Sequence, residues 1–478
     1  MAKFFIEQFG CRATQADAAA IERQLLDRGY AVSADANSAD VVVINTCTVT
    51  AAADLQARQS VRAIHRENPG ARVIVTGCYA QRAPEELAAL EGVSWVVGNS
   101  HKPEIARLIL EMGLGNRPSA VPAAVRETAC ESSAAASAFQ GFVPLATIAN
   151  DAPAFHGGPA NILTGDIFQQ RELFFAPVEG GEAGHTRPVL KIQDGCNKKC
   201  AYCVIPQVRG RSRSLPPHRV IEEIGALCEG GAREVVLSGI DLGNYGRDLS
   251  PYAELGEVLR RVLDETPVER LRVSSVEPMD ITEDLIAIFA ASARMARHLH
   301  MPMQSGSDRI LAKMHRWYRA EHYARRAELA REWLPDAAIG ADVIAGFPGE
   351  TEGDHQATVA LIERLPLTYL HVFSFSARPG TSAAALGNPV PVAVIARRAR
   401  ELRALGEKKK AAFQQAQVGR TMRVLTLNGS GEDAGGPWSR AVSSNYLDAR
   451  VPGAWPSNQF LDVRVTGVID GRLSCETL

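Results

Sequence analysis

The sequence predicts a mixed α/β protein in three parts. These are an N-terminal doubly wound parallel α/β domain, a central incomplete (β/α) barrel and a small antiparallel β-barrel at the C-terminus. Three observations carry the prediction. Short β-branched runs alternate with helical runs over two separate stretches, roughly Phe4–Leu110 and Arg187–Ser376, and such alternation makes parallel sheets. Between them the pattern breaks into Ala-Ser pieces such as Ser133–Ala138 and Gly-Pro pieces such as Gly157-Gly158-Pro159, a linker or insertion. Beyond Gly419 short strands recur with Gly, Pro and Asn between them. The resulting division is 1–114, 115–186, 187–416 and 417–478.

Within the first part, Lys3–Phe9 reads as a short strand. Gln15–Gly29 is a helix, with Ala19, Ile21, Leu25 and Leu26 at near-helical spacing and Gly29 as its stop. Val41–Ile44 is a continuous β-branched run, as in a buried parallel strand. Ala51–Glu67 is a second helix, closed by Asn68-Pro69-Gly70; Val73–Val75 is a third strand, and Pro84–Leu90 opens a third helix. In the second part Val189–Ile192, Glu234–Leu237, Leu271–Val273, Leu299–Met303, Ala338–Ile344 and Leu370–Phe375 read as strands, about six β/α units. An incomplete barrel carries its site at the strand C-terminal ends. The run Val394–Gln417 is a basic helix, its arginines and lysines read as a solvated face.

The chain has 478 residues, 46% hydrophobic and 22% charged, ordinary globular composition. No apolar run approaches the ~20 residues of a membrane span, and Met1–Glu7 reads as a strand start, so no membrane and a cytoplasmic location are expected. Nine cysteines, an odd number, argue against a disulfide framework. The net charge of −2 gives no global field for nucleic acid, so any RNA contact must be local. Arg209, Arg211 and Arg213 are candidate phosphate contacts, with structural ion pairing as the alternative.

Two sets of cysteines carry chemistry. Cys196, Cys200 and Cys203 stand at C-x3-C-x2-C spacing, with Tyr202 before the last. Thiolates suit iron–sulfur clusters and zinc, but a closed zinc site wants four ligands. Three cysteines leave a four-iron cluster with one iron open to a further ligand. The alternative is a zinc knuckle completed by His218, at an unusual gap. The second set follows strands. Cys11, Cys47 and Cys78 stand after the first, second and third strands, where open α/β sheets bind ligands. A lone cysteine after a strand is commonly a small buried hydrophobe; three in equivalent places form a pattern.

The run around Cys196–Cys203 resembles the radical S-adenosylmethionine (SAM) enzymes. Gly10-Cys11-Arg12, Asn45–Thr50 and Thr76–Gln81 resemble the N-terminal domain of the radical SAM methylthiotransferases. One departure is Thr14, where the family pattern has Asn. The resemblance implies two [4Fe-4S] clusters, one on Cys196, Cys200 and Cys203 that reduces SAM, the other on Cys11, Cys47 and Cys78 that serves sulfur delivery. The order of the strand ends, with Ser238-Gly239, Ser275 and Glu277, Gln304 and Gly346, is similar to the SAM-binding elements of the family. The C-terminal part resembles the TRAM module, an RNA-binding β-barrel. Asn45–Thr50 and Gly239–Gly246 look closest to the branch that methylthiolates carbon-2 of threonylcarbamoyladenosine beside the tRNA anticodon. That resemblance implies a tRNA anticodon stem-loop as substrate, a small electron donor such as a flavodoxin or ferredoxin, and a monomer. Alternatives are a methylthiotransferase of isopentenyladenosine or of a ribosomal protein, and a non-catalytic RNA-binding iron–sulfur protein.

Overall fold

The computed structural model describes residues 1–113, 160–177, 186–433 and 436–478. Most of the stretch read as a linker, and Cys130 with it, lies outside the described residues. The chain divides into two compact units. The first holds Met1–Phe9, Ile21–Thr46 and Leu55–Gly165; the second holds Gly10–Ala20, Cys47–Asp54 and Asp166–Leu478.

The first unit is built on a six-stranded parallel sheet of β1 (Lys3–Gln8), β2 (Ala31–Val32), β3 (Val41–Thr46), β4 (Arg72–Gly77), β5 (Val93–Gly98) and β6 (Asn161–Leu163). The order is β2-β1-β3-β4-β5-β6. All six residues of β3 are buried, as its unbroken apolar run requires. Val42, Ile44, Val73, Val75, Leu87 and Val96 form the core of this unit. The strand order reverses beside β1, whose neighbours are β2 and β3, and ligands bind at such switch points outside the carboxyl ends. The strand β6 falls inside the stretch read as a linker. It pairs with Trp95–Val97 at the sheet edge, and three residues are too few to announce a strand by periodicity.

In the second unit β7 (Val189–Lys191), β10 (Glu234–Ser238), β11 (Arg270–Val273), β12 (His298–His300), β13 (Ala338–Ala345) and β14 (Tyr369–Ser374) lie side by side in parallel. Bridges Leu271–Met295 and Ser275–His300 join β11 to the edge formed by β12. This is the expected open barrel of six strands. A short antiparallel ribbon, β8 (Gln193–Asp194) with β9 (Arg213–Ser214), closes off the loop between them. The C-terminal strands β15 (Thr421–Asp433), β16 (Gly436–Ser443), β17 (Asp448–Pro452), β18 (Phe460–Ile469) and β19 (Arg472–Thr477) form a closed barrel in the order β15-β16-β17-β19-β18. One pair, β17 with β19, is parallel, so the barrel is not wholly antiparallel as read from its hairpins.

The helix Val392–Gln415 keeps the solvated-face reading for most of its charges and departs from it at two. Arg398 is buried and bonds Glu350 at 2.8 Å, and the Lys409 ammonium caps the carbonyls of Glu363 and Leu365 at 2.8 Å each. Arg397, Arg400, Arg403 and Lys408 are exposed, Arg397 paired with exposed Glu352 at 2.7 Å.

Candidate active site

The ribbon of β8 and β9 presents the loop that holds Cys196, Cys200 and Cys203. Its first turn depends on Gly195. There φ is +71°, and a Cβ would stand 2.0 Å from the carbonyl oxygen of Arg211. The Asp194 carboxylate accepts the Gly195 N–H at 2.8 Å and so fixes the entry to the loop. Asp194 is itself one corner of a buried ring of four charges. Lys191 bonds Asp17 and Asp194, and Arg209 bonds the same two carboxylates, at 2.9 Å to Asp17 and 2.8 Å to Asp194. Burial pushes the Asp194 carboxyl up, but Arg209 and Lys191 outweigh it and hold the group far below its ordinary value.

That ring corrects the reading of the arginines beside the loop. Arg209 is 2% exposed and its guanidinium is committed to Asp17 and Asp194, so it cannot grip a phosphate. Arg213 is 8% exposed and bonds the Arg211 carbonyl at 3.3 Å, and burial lowers its pKa. Only Arg211 of the three is exposed.

The three thiols of the loop are half-buried. Cys196 donates to Asp241 at 3.4 Å and receives the Lys198 N–H at 3.4 Å. Arg316 donates to the Cys200 sulfur at 3.3 Å and also pairs with Glu277. Burial pushes the Cys203 thiol up to about 12, partly offset by the Ile205 N–H, and burial with the Asp241 charge raises Cys196 still further. The Cys196 and Cys203 thiols are therefore protonated without a metal, and cluster binding must displace those protons. Three soft donors in one loop, with N–H groups and a guanidinium aimed at their sulfurs, fit a four-iron cluster. His218 lies in the first turn of the helix Pro217–Glu229.

Beside the loop a cavity of about 210 Å³ is lined by Val49, Tyr202, Cys203, Gln304, Asp342 and Phe373 among others. It gathers Tyr202 and Gln304 of the expected SAM residues. Gln304 takes φ +66°, a left-handed backbone for a non-glycine residue, and is nearly buried. Ser238 and Ser275 lie at neighbouring strand ends, and the adjacent Ser274 hydroxyl is buried without a partner. Gly239 and Gly346 also permit close packing. A Cβ on Gly239 would meet Leu242 at 2.6 Å, and one on Gly346 would meet Ile395 at 2.3 Å. Glu277, expected at a ribose, is held by Arg316.

The barrel lumen also carries polar groups that the sequence reading missed. His298 and His300 bond the Tyr369 hydroxyl at 2.7 and 3.0 Å. His300 and His371 bond one oxygen of Asp342 at 3.0 and 3.3 Å. These hydrogen bonds hold the Asp342 carboxyl well below its ordinary value against the effect of burial. His298 is pushed down, first by burial and then by Arg272, His300, Arg12 and Arg187. The signal available in sequence was His298-Leu299-His300, alternate residues facing one side of a strand.

Of the other cysteines, Cys11 and Cys47 belong to the second unit and Cys78 to the first. They follow β1, β3 and β4, three adjacent strands of the sheet. Cys11 is exposed and its sulfur is 3.5 Å from the Thr14 hydroxyl. Gly10 has φ +109°, and a Cβ there would come within 2.7 Å of the Cys47 Cβ and 3.0 Å of its sulfur. Cys78 is buried at the start of the helix Cys78–Arg82, and the Asn99 amide approaches its sulfur at 3.6 Å.

The chain matches the sequence profile of the Radical SAM superfamily over residues 190–362, and that of the uncharacterized protein family UPF0004 over residues 3–98. It is 34% identical over 458 residues to the threonylcarbamoyladenosine tRNA methylthiotransferase MtaB of Aquifex aeolicus, covering 94% of this chain and 97% of that one. The chain belongs to the radical SAM methylthiotransferases. This methylthiotransferase is also 33% identical to the tRNA-2-methylthio-N(6)-dimethylallyladenosine synthase of Syntrophobacter fumaroxidans, over 93% of its own length and 88% of the relative. Among solved structures it shares the fold of the radical SAM methyltransferase TsrM of Kitasatospora setae, with a TM-score of 0.51 at 19% identity over 80% of this chain and 74% of that one. A radical SAM enzyme binds SAM and a [4Fe-4S] cluster, and Cys196, Cys200 and Cys203 are the residues here that fit the cluster. No helix among the described residues is long and apolar enough to cross a membrane.

Proposed function

We propose that this methylthiotransferase converts threonylcarbamoyladenosine beside the tRNA anticodon to its 2-methylthio derivative. The observation that carries the reading is the alignment, over nearly the full length of both chains, with a relative named for that reaction. The lumen supports it. His300, His371, Asp342 and Tyr369 offer a hydrogen-bonding wall, which suits a hydroxyl-bearing group and not an isopentenyl chain.

In this reading residues 1–114 carry the auxiliary site, 187–416 the radical site and 417–478 an RNA-binding barrel, with 115–186 between them. Cys196, Cys200 and Cys203 hold one cluster, and Cys11, Cys47 and Cys78 hold a second. When bound, the first cluster supplies the electron that cleaves SAM, and the second supplies sulfur. The protein residues position and shield. Gly195 and Asp194 set the cluster loop, Arg316 neutralises charge at Cys200, and Lys198 with Asp241 braces Cys196. Tyr202 and Gln304 border the SAM pocket, Phe373 and Val49 help to keep it dry, and Ser238 and Ser275 serve SAM from neighbouring strand ends. Arg211 is the remaining phosphate candidate beside the loop. A flavodoxin- or ferredoxin-like donor, a cytoplasmic location and a monomeric state complete the proposal.

The test uses stem-loop RNAs and anaerobically reconstituted protein. The wild type should hold about eight irons, and the Cys196, Cys200 and Cys203 triple alanine variant about four. Cys47→Ala should cleave SAM yet form no methylthio product. The stem-loop bearing threonylcarbamoyladenosine should be modified and the isopentenyl one should not. Turnover of the isopentenyl RNA, or of a ribosomal protein instead, would overturn the substrate assignment.

A further inference from the structure

A second cavity of the second unit, about 410 Å³, is lined by Arg12, Arg187, Arg440, Tyr446, Asn428 and Gln15, with Thr186 and three apolar residues. Three of its side chains are arginines and none is a carboxylate. The charge around it is unbalanced. Glu234 is the carboxylate partner shared by Arg187, Arg270 and Arg272, three cations on one anion. Arg12 has no carboxylate partner among the described residues. Its hydrogen bond is a long one, 3.4 Å to the Tyr446 hydroxyl, and it is half-buried. Among the described residues Arg187 makes a single hydrogen bond, 3.3 Å to Glu234. A guanidinium carries five N–H donors in a planar fork, so most of the donors of these two are unused.

Tyr446 supplies the floor. It stands at φ +64°, a conformation that bulky side chains rarely take and that clusters at binding sites. Arg187 and Arg272 lie over its ring at 5.7 and 5.3 Å, and its hydroxyl faces Arg12. Positive charge that is drawn together out of water without matching carboxylates is costly unless an anion completes it. Arg440 is held by Asp448 at 3.0 Å and forms part of the rim.

We infer that Arg12, Arg187 and Tyr446 form an oxyanion-binding pocket that takes a planar or tetrahedral oxyanion of the RNA substrate. The inference rests on the proposed tRNA reaction and deepens it. The same chemistry has two sources on such an RNA: the carboxylate that ends a threonylcarbamoyl group, and a backbone phosphate. Both accept the paired N–H bonds that arginine offers.

Binding of 17-nucleotide anticodon stem-loops tests it, followed by fluorescence anisotropy over a salt series. The RNAs carry threonylcarbamoyladenosine, isopentenyladenosine or plain adenosine at the modified position. The proteins are the wild type, Arg12→Gln, Arg12→Lys and Arg187→Gln, each with iron content measured. A carboxylate occupant predicts that Arg12→Gln loses roughly 10- to 100-fold affinity for the threonylcarbamoyl RNA alone, the size of a charged hydrogen-bonded contact. A phosphate occupant predicts a similar loss on all three RNAs and a salt slope smaller by about 1. In both cases Arg12→Lys recovers part of the loss. Unchanged affinity for all three RNAs in both Arg12→Gln and Arg187→Gln overturns the inference. Should Arg12→Gln lose iron, Arg187→Gln decides alone, since that residue follows no cysteine. A wild type that binds none of the RNAs refutes the tRNA reading itself, a result distinct from the last.

Discussion

Asp17→Asn removes one carboxylate from the buried ring of Asp17, Lys191, Asp194 and Arg209. All four side chains are 7% exposed or less, so water replaces little of what is lost. The variant leaves two buried cations sharing Asp194. Breaking a buried pair from one side costs about 3–5 kcal/mol, because a charge stays behind uncompensated. Four of the five tryptophans, Trp317, Trp333, Trp438 and Trp455, belong to the second unit, so urea unfolding followed by fluorescence reports on the part that holds the ring. The midpoint should fall by about that free energy divided by an unchanged slope. Adding Lys191→Met to Asp17→Asn should cost less than the two single effects summed, since it removes the stranded cation. The wild type should also lose stability in acid. Asp194 titrates below its ordinary value of 3.8 in the fold, so its contribution is complete above that value and is lost as the pH falls. A loss under about 1 kcal/mol, or strict additivity with Lys191→Met, would refute the ring as a unit.

Glu234 titrates at about 2 against an ordinary 4.5, because Arg272, Arg187 and Arg270 outweigh its burial. That gap is worth about 3 kcal/mol of stability, present above pH 4.5 and lost toward pH 2, and Glu234→Gln should flatten the stability–pH curve in that window. Gly195→Ala should leave circular dichroism intact but lower iron after reconstitution from about eight to about four, since its Cβ collides with the Arg211 carbonyl that shapes the loop. Iron uptake at the Cys196–Cys203 loop should quicken as the pH rises, because the thiols must shed protons that burial makes them hold.

Local pattern made much of this protein readable. Strand–helix alternation gave three strands of the first sheet, β1, β3 and β4, and the six of the second, but not β5 or the short edge strands β2 and β6. The cysteines were legible because their spacing within one loop, or their place after a strand, is itself the signal. What stayed hidden depends on partners far apart in the chain. Arg209 looks like a phosphate contact until Asp17, 192 residues earlier, is seen bonded to it. The lumen network draws His300, Asp342, Tyr369 and His371 from three strands, and no stretch of sequence contains more than two of them together. At Gly239 and Gly346 a glycine makes room for Leu242 and Ile395, and sequence does not say for whom a glycine makes room.

The terminal barrel is keyed into the central one. Arg270 donates to the carbonyls of Arg423 at 2.7 Å and Val442 at 3.4 Å, and fully buried Arg272 to those of Ser444 and Ser443 at 3.0 and 3.2 Å. The Tyr446 ring packs tilted against His298, centroids 4.6 Å apart, so a turn of the small barrel is wedged beneath the lumen of the large one. A chain cut at Gly419 would strip Arg270 and Arg272 of these carbonyl partners and bare the face that the barrel covers, so loss of RNA binding in that truncation would not isolate an RNA function. Grafting has the same constraint. A chimera that exchanges terminal barrels between relatives must carry Arg270, Arg272 and the turn from Ser443 to Leu447 as one cassette, or the donor module will arrive without its socket.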